Sequence, residues 1–290
     1  MSLVGHIEYV VCITLQSIKM RDDLGNRMKE NYENRTRISL PRRSYTVIRI
    51  DGKAFHTYTK GLSRPFDHGL IDDMNNTAAY LCKNIMGAKL AYVQSDEISI
   101  VITDFEDIST QAWFDNNLQK MCSVAASMAT SEFNRLRLMR GLLPMSVYDI
   151  RQFRMAEFDA RVFQIPQKVE VLNYLIWRQQ DATRNSIASV AQSLYSPKEL
   201  NGKNGNQQQE MIFQKGINWN DYDFREKRGG VITKVQTGGL GDNCLNYQTE
   251  ICGEVCDECQ KPLRSKWKLV ETPVFTQDRE FLENLIPNNF

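Results

Sequence analysis

No stretch of this chain is long and apolar enough to cross a membrane. The nearest approach, Ile7 to Leu15, is interrupted by Glu8 and falls well short of the roughly 20 residues that a span needs. No basic residues precede it, so the start of a secretory signal is also missing, and it reads as a short strand, a short helix or an extension. The cysteines are odd in number, seven in 290 residues, and without a signal they argue against a disulfide framework and for reduced thiols in the cytoplasm. Excess charge is missing too. With 36 basic and 35 acidic residues the net charge is +1, so any nucleic-acid surface has to be a local patch. Tandem repeats and long low-complexity segments are absent. What is present is a hydrophobic fraction of 42%, enough to bury a core in one large domain or two ordinary ones.

Residues 20–43 are polar, with Arg35, Arg37, Arg42 and Arg43 close together. A solvated arm and a phosphate-contacting segment both fit that pattern. Tyr45 to Ile50 is dense in β-branched and aromatic residues and stops at Asp51-Gly52, a buried strand entering a turn. From His68 to Met86, Leu70, Ile71, Met74, Ala78, Leu81, Cys82 and Ile85 fall on one helix face, with Gly87 as the stop. Leu90–Val93 and Ile98–Ile102 are two short strands joined through Gln94-Ser95-Asp96-Glu97 as a hairpin. A helical pattern returns from about Thr110 to Arg140, its stripe marked by Trp113, Phe114, Leu118 and Met121, and Phe158–Ile165 is a strand ended by Pro166. The order βαββαβ is the split arrangement of a ferredoxin-like sheet, so the expected class is α+β. Beyond residue 166, Val169–Leu194 reads as one or two helices with a polar face, Asn201–Gln209 as a loop, Gly229–Val235 as a strand and Gly238–Asn243 as a connection.

In that topology the first and third strands are adjacent and antiparallel, which carries Asp51 and Asp96 to one sheet edge. Two carboxylates held close raise a pKa or demand a cation, and an exposed oxygen-only site suits Mg²⁺. Taken alone, each aspartate reads equally well as a turn residue, Asp-Gly being an ordinary turn pair.

Val47-Ile48-Arg49-Ile50-Asp51-Gly52-Lys53-Ala54-Phe55-His56, then Arg64-Pro65-Phe66-Asp67, then Gln94-Ser95-Asp96-Glu97-Ile98-Ser99 together resemble the tRNA-His guanylyltransferase family. The likeness is greater to its bacterial and archaeal like-protein branch and continues through Phe158-Asp159-Ala160-Arg161-Val162 into the C-terminal half. The resemblance implies a polymerase-like palm that adds nucleotides to an RNA 5′ end, growing it 3′ to 5′. ATP would activate a 5′-monophosphate, the 3′-hydroxyl of an incoming nucleotide would attack, and AMP would leave; a 5′-triphosphate would release pyrophosphate instead. It further implies that Asp51, Asp96 and the Gly52 carbonyl hold two Mg²⁺ ions, with Glu97 as the supporting acid. The nucleotide, ATP or GTP, would be met by the turn Gly52, Lys53, Ala54, Phe55 and His56, whose backbone N–H groups suit triphosphate oxygens, and by Arg64 and Ser95. The partners implied are tRNA and nucleoside triphosphates, in a homotetramer with no membrane.

Where eukaryotic members carry His-Ile-Asn, this chain has Val171-Leu172-Asn173, a departure that favours template-directed repair of 5′-truncated tRNA over addition of a single G to histidine tRNA. The regions expected are an extension and basic arm over 1–43, the palm over 44–166, and a C-terminal α/β extension over 167–290 for RNA binding and oligomerisation. Arg178, Arg184, Lys203 and Arg225 are candidates for RNA phosphates, against an ordinary solvated face. Cys252, Cys256 and Cys259, with Cys244 upstream, admit a structural Zn²⁺, although their irregular spacing favours reduced thiols in a loop. Competing functions are a nucleotidyl cyclase or conventional polymerase, which share the two-carboxylate palm, and a non-catalytic RNA-binding palm.

Overall fold

The computed structural model describes residues 22–141, 154–237 and 264–289. The apolar stretch Ile7–Leu15, the connection Gly238–Asn243 and the cysteines Cys244, Cys252, Cys256 and Cys259 lie outside them. The chain divides into two compact units, residues 1–38 and 39–290. In the first, helix α1 (Asp23–Asn31) begins at Asp22, whose carboxylate accepts the Gly25 N–H at 2.8 Å, and none of its residues is buried.

The second unit is built on one six-stranded sheet in the order β4-β1-β3-β2-β5-β6. Its strands are β1 (Tyr45–Gly52), β2 (Ala88–Gln94), β3 (Glu97–Ile102), β4 (Phe158–Ile165), β5 (Gly230–Thr237) and β6 (Arg264–Val270), and every pairing is antiparallel. The expected neighbours β1 and β3 do pair, with Asp51 opposite Glu97. On its other side β1 pairs with β4, with Asp51 opposite Asp159. The α-helices among the described residues of this unit, in chain order, are α2 (Phe55–Tyr58), α3 (His68–Asn84), α4 (Leu118–Gly141), α5 (Lys168–Leu194), α6 (Pro197–Leu200), α7 (Gly205–Gln214), α8 (Phe224–Arg228) and α9 (Arg279–Leu285). Among the described residues no helix is long and apolar enough to cross a membrane.

Both faces of the central strands are covered, which is why β1 and β3 are nearly continuous apolar runs. On one face Ile48, Ile50, Ile98 and Ile100 meet Met74 and Leu81 of α3 and Met121 and Phe133 of α4. On the other, Tyr45, Tyr92 and Val101 meet Val171, Leu172 and Leu175 of α5, together with Phe275 and Leu282. The α3 stop is as expected: Gly87 has φ +82, and a Cβ there would lie 2.3 Å from the Thr103 carbonyl oxygen.

Three expectations are corrected. Helix α4 begins at Leu118 and not near Thr110, because Phe114, Asp115 and Asn116 all take positive φ. Asn117 then caps it, accepting the Lys120 N–H at 2.9 Å. The segment expected to be a loop over Asn201–Gln209 enters α7: Asn204 accepts the Gln207 N–H and Gln207 accepts the Asn204 N–H, both at 3.0 Å, a reciprocal cap. In the basic stretch, Arg42 pairs with Asp104 at 2.7 Å and the Arg43 guanidinium donates to the carbonyls of Asp107 and Ile108. These two arginines pin a loop and are not free for phosphates.

Helices α3 and α4 are locked by charge as well as by apolar contact. Asp73, only 2% exposed, meets Arg137 at 3.1 Å and Arg140 at 2.7 Å. Removing the acid leaves Arg137, its side chain 14% exposed, without its near partner at a mostly buried position, while Arg140, 44% exposed, can turn to water, so Asp73→Ala should cost about 3 kcal/mol in urea denaturation. A loss below about 1 kcal/mol would show that apolar packing alone holds the pair of helices.

Candidate active site

The ends of β1 and the β2–β3 turn meet through the backbone: the Gly52 N–H donates to the Asp96 carbonyl at 3.1 Å. That contact sets Asp51 and Asp96 at the same end of the sheet. Antiparallel register then lays an acidic row across three strands, Asp159, Asp51 and Glu97, with a second row of Arg161, Arg49 and Ser99 behind it on the same face. The acids differ in their partners. Glu97, 4% exposed, is held by Arg49 at 2.8 Å and by Arg178 of α5 in a two-pronged contact at 2.8 and 2.6 Å. Asp51 has Arg161 at 3.4 Å. Among the described residues no lysine or arginine lies within 4.0 Å of the Asp96 carboxylate. Burial raises the Asp96 pKa, hydrogen bonds from its own backbone and from Ser95 oppose this, and the charges of Asp51 and Glu97 raise it further.

The turn after β1 presents backbone donors beside that acid pair. Gly52 is required there, since a Cβ would come within 2.2 Å of the Phe55 ring. Ala54 takes φ 53 in the left-handed region, turning the chain into α2. Of the five amides expected to face a triphosphate, the Gly52 N–H is bonded to Asp96 and the Lys53 N–H to the Glu157 carbonyl at 2.8 Å. Those of Ala54, Phe55 and His56 take no backbone acceptor outside α2 among the described residues, and successive free N–H groups form an anion-binding concavity. The Phe55 side chain belongs to the core, its ring 5.2 Å from that of Phe158 and 5.8 Å from that of Phe133. The side chains of His56 and Lys53 are exposed, and Lys53 pairs with Glu157.

A cavity of about 250 Å³ opens beside the β2–β3 turn, and both Arg64 and Ser95 line it, with Leu62, Phe66, Asn185 and Arg225 among its other walls. Ser95 carries φ 47, a strained conformation that holds the hairpin tip at the rim. Arg225 reaches the cavity from α8 and pairs with Asp72 at 3.1 Å. The other candidates for RNA contact lie elsewhere. Arg178 is 4% exposed and is engaged by Glu97 and Asp181, so it is an internal ion partner and not a surface cation. The Arg184 side chain is 61% exposed, and Lys203 is exposed ahead of α7. Two residues at the site were not picked out from sequence, Arg49 and Arg161. Their signal was available, since each is a charge inside an otherwise strand-like run.

Among the described residues no group of three or more His, Cys, Asp or Glu side chains gathers as a metal cluster. The donor set is two carboxylates with backbone oxygen, one of them raised in pKa by burial and by the neighbouring acids. That fits Mg²⁺, which takes few protein ligands, keeps waters and completes its shell with substrate phosphates.

A pH dependence of stability follows. The folded chain binds the Asp96 proton more tightly than the unfolded chain, so this group's contribution to stability is full at acid pH and is lost as pH rises through the folded pKa. In the absence of divalent cations, Asp96→Asn should therefore raise Tm at pH 7.5 by about 2 °C, with the gain shrinking toward about pH 5. Thermal melts of both proteins at the two pH values check this, and a difference between them that does not change with pH would remove the buried Asp96 charge from the account.

The profile of the family described as tRNAHis guanylyltransferase matches residues 25–166. A solved bacterial tRNA(His) guanylyltransferase (Thg1)-like protein in complex with ATP is 42% identical, with a TM-score of 0.73, covering 91% of this chain and 99% of that one. The same kind of protein in complex with GTP is 43% identical, with a TM-score of 0.71 and the same coverage. The tRNA(His) guanylyltransferase of Saccharomyces cerevisiae is 28% identical over 204 residues, 66% of this chain and 82% of that protein. With likeness of that extent in sequence and fold, and with the motif residues gathered at one end of the sheet, the chain belongs to the tRNA(His) guanylyltransferase family of nucleotidyltransferases.

Proposed function

We propose that this enzyme repairs the 5′ end of tRNA by template-dependent, 3′ to 5′ addition of nucleotides. The observation that carries the reading is the pair Asp51 and Asp96, tied through the Gly52 N–H and set beside three adjacent free amides. Strands β4-β1-β3-β2 with α3 and α4 are read as a ferredoxin-like palm. Repair is favoured over addition of one G to histidine tRNA by Val171-Leu172-Asn173 and by the higher identity to the bacterial like-protein, 42%, than to the yeast enzyme, 28%.

In this reading the amides of Ala54, Phe55 and His56 bind triphosphate oxygens while Arg64 and Ser95 hold the nucleotide at the cavity. Asp51 and Asp96, with the Gly52 carbonyl, would hold two Mg²⁺ ions, which when bound lower the pKa of the attacking hydroxyl and offset charge on the departing phosphates. Glu97 supports from beneath, its ion pairs fixing the turn that carries Asp96. The 3′-hydroxyl oxygen of the incoming nucleotide gives its proton to solvent water and bonds to the phosphorus of the activated RNA end. The bond to AMP, or to pyrophosphate, breaks in the same step. Residues 1–43 serve as an arm, 44–166 carry the chemistry, and 167–290 bind RNA and build a homotetramer. The cytoplasm suits free thiols such as Cys82 and Cys122.

The test is incubation of the purified enzyme with a 5′-truncated, end-labelled tRNA, ATP, all four nucleoside triphosphates and Mg²⁺. A product longer at the 5′ end and complementary to the 3′ strand is expected, and a chain that extends no 5′ end would overturn the reading. Asp51→Ala and Asp96→Ala should each slow extension by about 10³-fold or more, the scale of about 4 kcal/mol in the barrier. Retention of full rate by either would favour a palm that only binds RNA.

A further inference from the structure

We propose that Trp177 is a stacking platform for a nucleobase at the acceptor end of the RNA, an inference that rests on the polynucleotide substrate proposed above. Helix α5 lies over the sheet face that carries the acids. Tyr174 binds Ser99 through their hydroxyls at 2.8 Å and sets its ring 5.5 Å from that of Phe163. Arg178 reaches Glu97, the register partner of Asp51. Trp177 sits between these anchors, one turn after Tyr174 and next to Arg178. Its neighbours Ile176 and Arg178 are 8% and 4% exposed, yet Trp177 is 48% exposed.

The indole is fixed in place and left open. Tyr174 meets it at 5.9 Å with the ring planes at 62°, and the Arg178 guanidinium lies 4.5 Å from its centre. A ring braced by an aromatic and a guanidinium loses little freedom on binding, so a ligand gains the stacking energy without the cost of ordering the side chain. Arg161, 56% exposed at its side chain and facing Asp51 at 3.4 Å, and Arg184, 61% exposed and paired with Asp181 at 2.8 Å, each keep an open guanidinium edge on the same sheet face and on the same helix. A flat aromatic among exposed arginines beside an acid pair is the chemistry that holds a single-stranded base by its face and the backbone by its charge. A free nucleotide has a built place already, in the cavity that Arg64 and Ser95 line, which leaves the polynucleotide for Trp177.

Trp177→Phe and Trp177→Leu in the full chain test this. Of the four tryptophans, the fluorescence lost in Trp177→Phe isolates the Trp177 signal, and 5′-truncated tRNA should quench that signal. ATP or GTP alone should leave it unchanged. Trp177→Leu should raise KM for tRNA by about tenfold or more, with KM for the nucleotide unchanged, while Trp177→Phe keeps most of the affinity. Absence of Trp177 quenching by tRNA overturns the proposal, and so does quenching by a nucleotide alone. A change in the sedimentation of either variant without RNA also overturns it, by showing that a second copy covers the ring. These outcomes are separable from failure of the repair reading, which is seen in the wild-type extension assay.

Discussion

One buried carboxylate, Glu97, clamped by two arginines, is the constraint from which the acid end of the sheet takes its shape. Arg49 comes from β1, Glu97 from β3 and Arg178 from α5, so three elements far apart in the chain are joined at a single carboxylate. Desolvating such charges is costly, and the gain in stability over an apolar replacement is small. What the cluster provides instead is direction. An apolar contact would let α5 slide along the sheet, whereas a two-pronged guanidinium contact admits one register. The Arg49 Nε, buried without a partner among the described residues, shows that even this network is incompletely satisfied.

The same end of the molecule carries several features that cost stability. Ala54 and Ser95 sit in the left-handed region without being glycine, and Asp96 is largely buried beside other acids. Each costs stability, and each is stabilised from below by apolar layers on both faces of β1 and β3. Strained turns also occur at Arg43 and over Phe114–Asn116, but at the acid end strain and a buried acid meet where phosphate chemistry is proposed, as expected when function and folding compete for the same residues.

Much of the frame was legible in the residues themselves. The β-branched run Tyr45–Ile50, the hairpin around Ser95-Asp96 and the helical stripe from Leu70 to Ile85 depend on local periodicity, and those elements stand where periodicity puts them. Two failures had local causes: Trp113 and Phe114 continued the apolar spacing of α4 although the backbone breaks at Phe114, and the Asn204–Gln207 cap was passed over for its loop-like composition. Other features had no local signal to read. Strand β6 carries alternating lysines, and α9 is only seven residues long. The candidate site divided in the same way. That Asp51 and Asp96 share one edge follows from strand order, but Arg178 looked like its neighbour Arg184 in sequence. Only the fold, by bringing a partner 81 residues away, separates the internal cation from the external one.

Strand β2 takes its outer partner from β5, so that Ala91 lies beside Ile232 and Val93 beside Gly230. A ribosome releases those partners only after most of the chain has emerged. Until then a hydrophobic strand edge stands open in the growing polypeptide, and the sheet cannot close by local zippering. The enzyme's acid end, formed by β1 and the β2–β3 turn, can be in place well before its sheet is finished, which makes late synthesis the interval in which this chain most needs protection from pairing with another copy of itself.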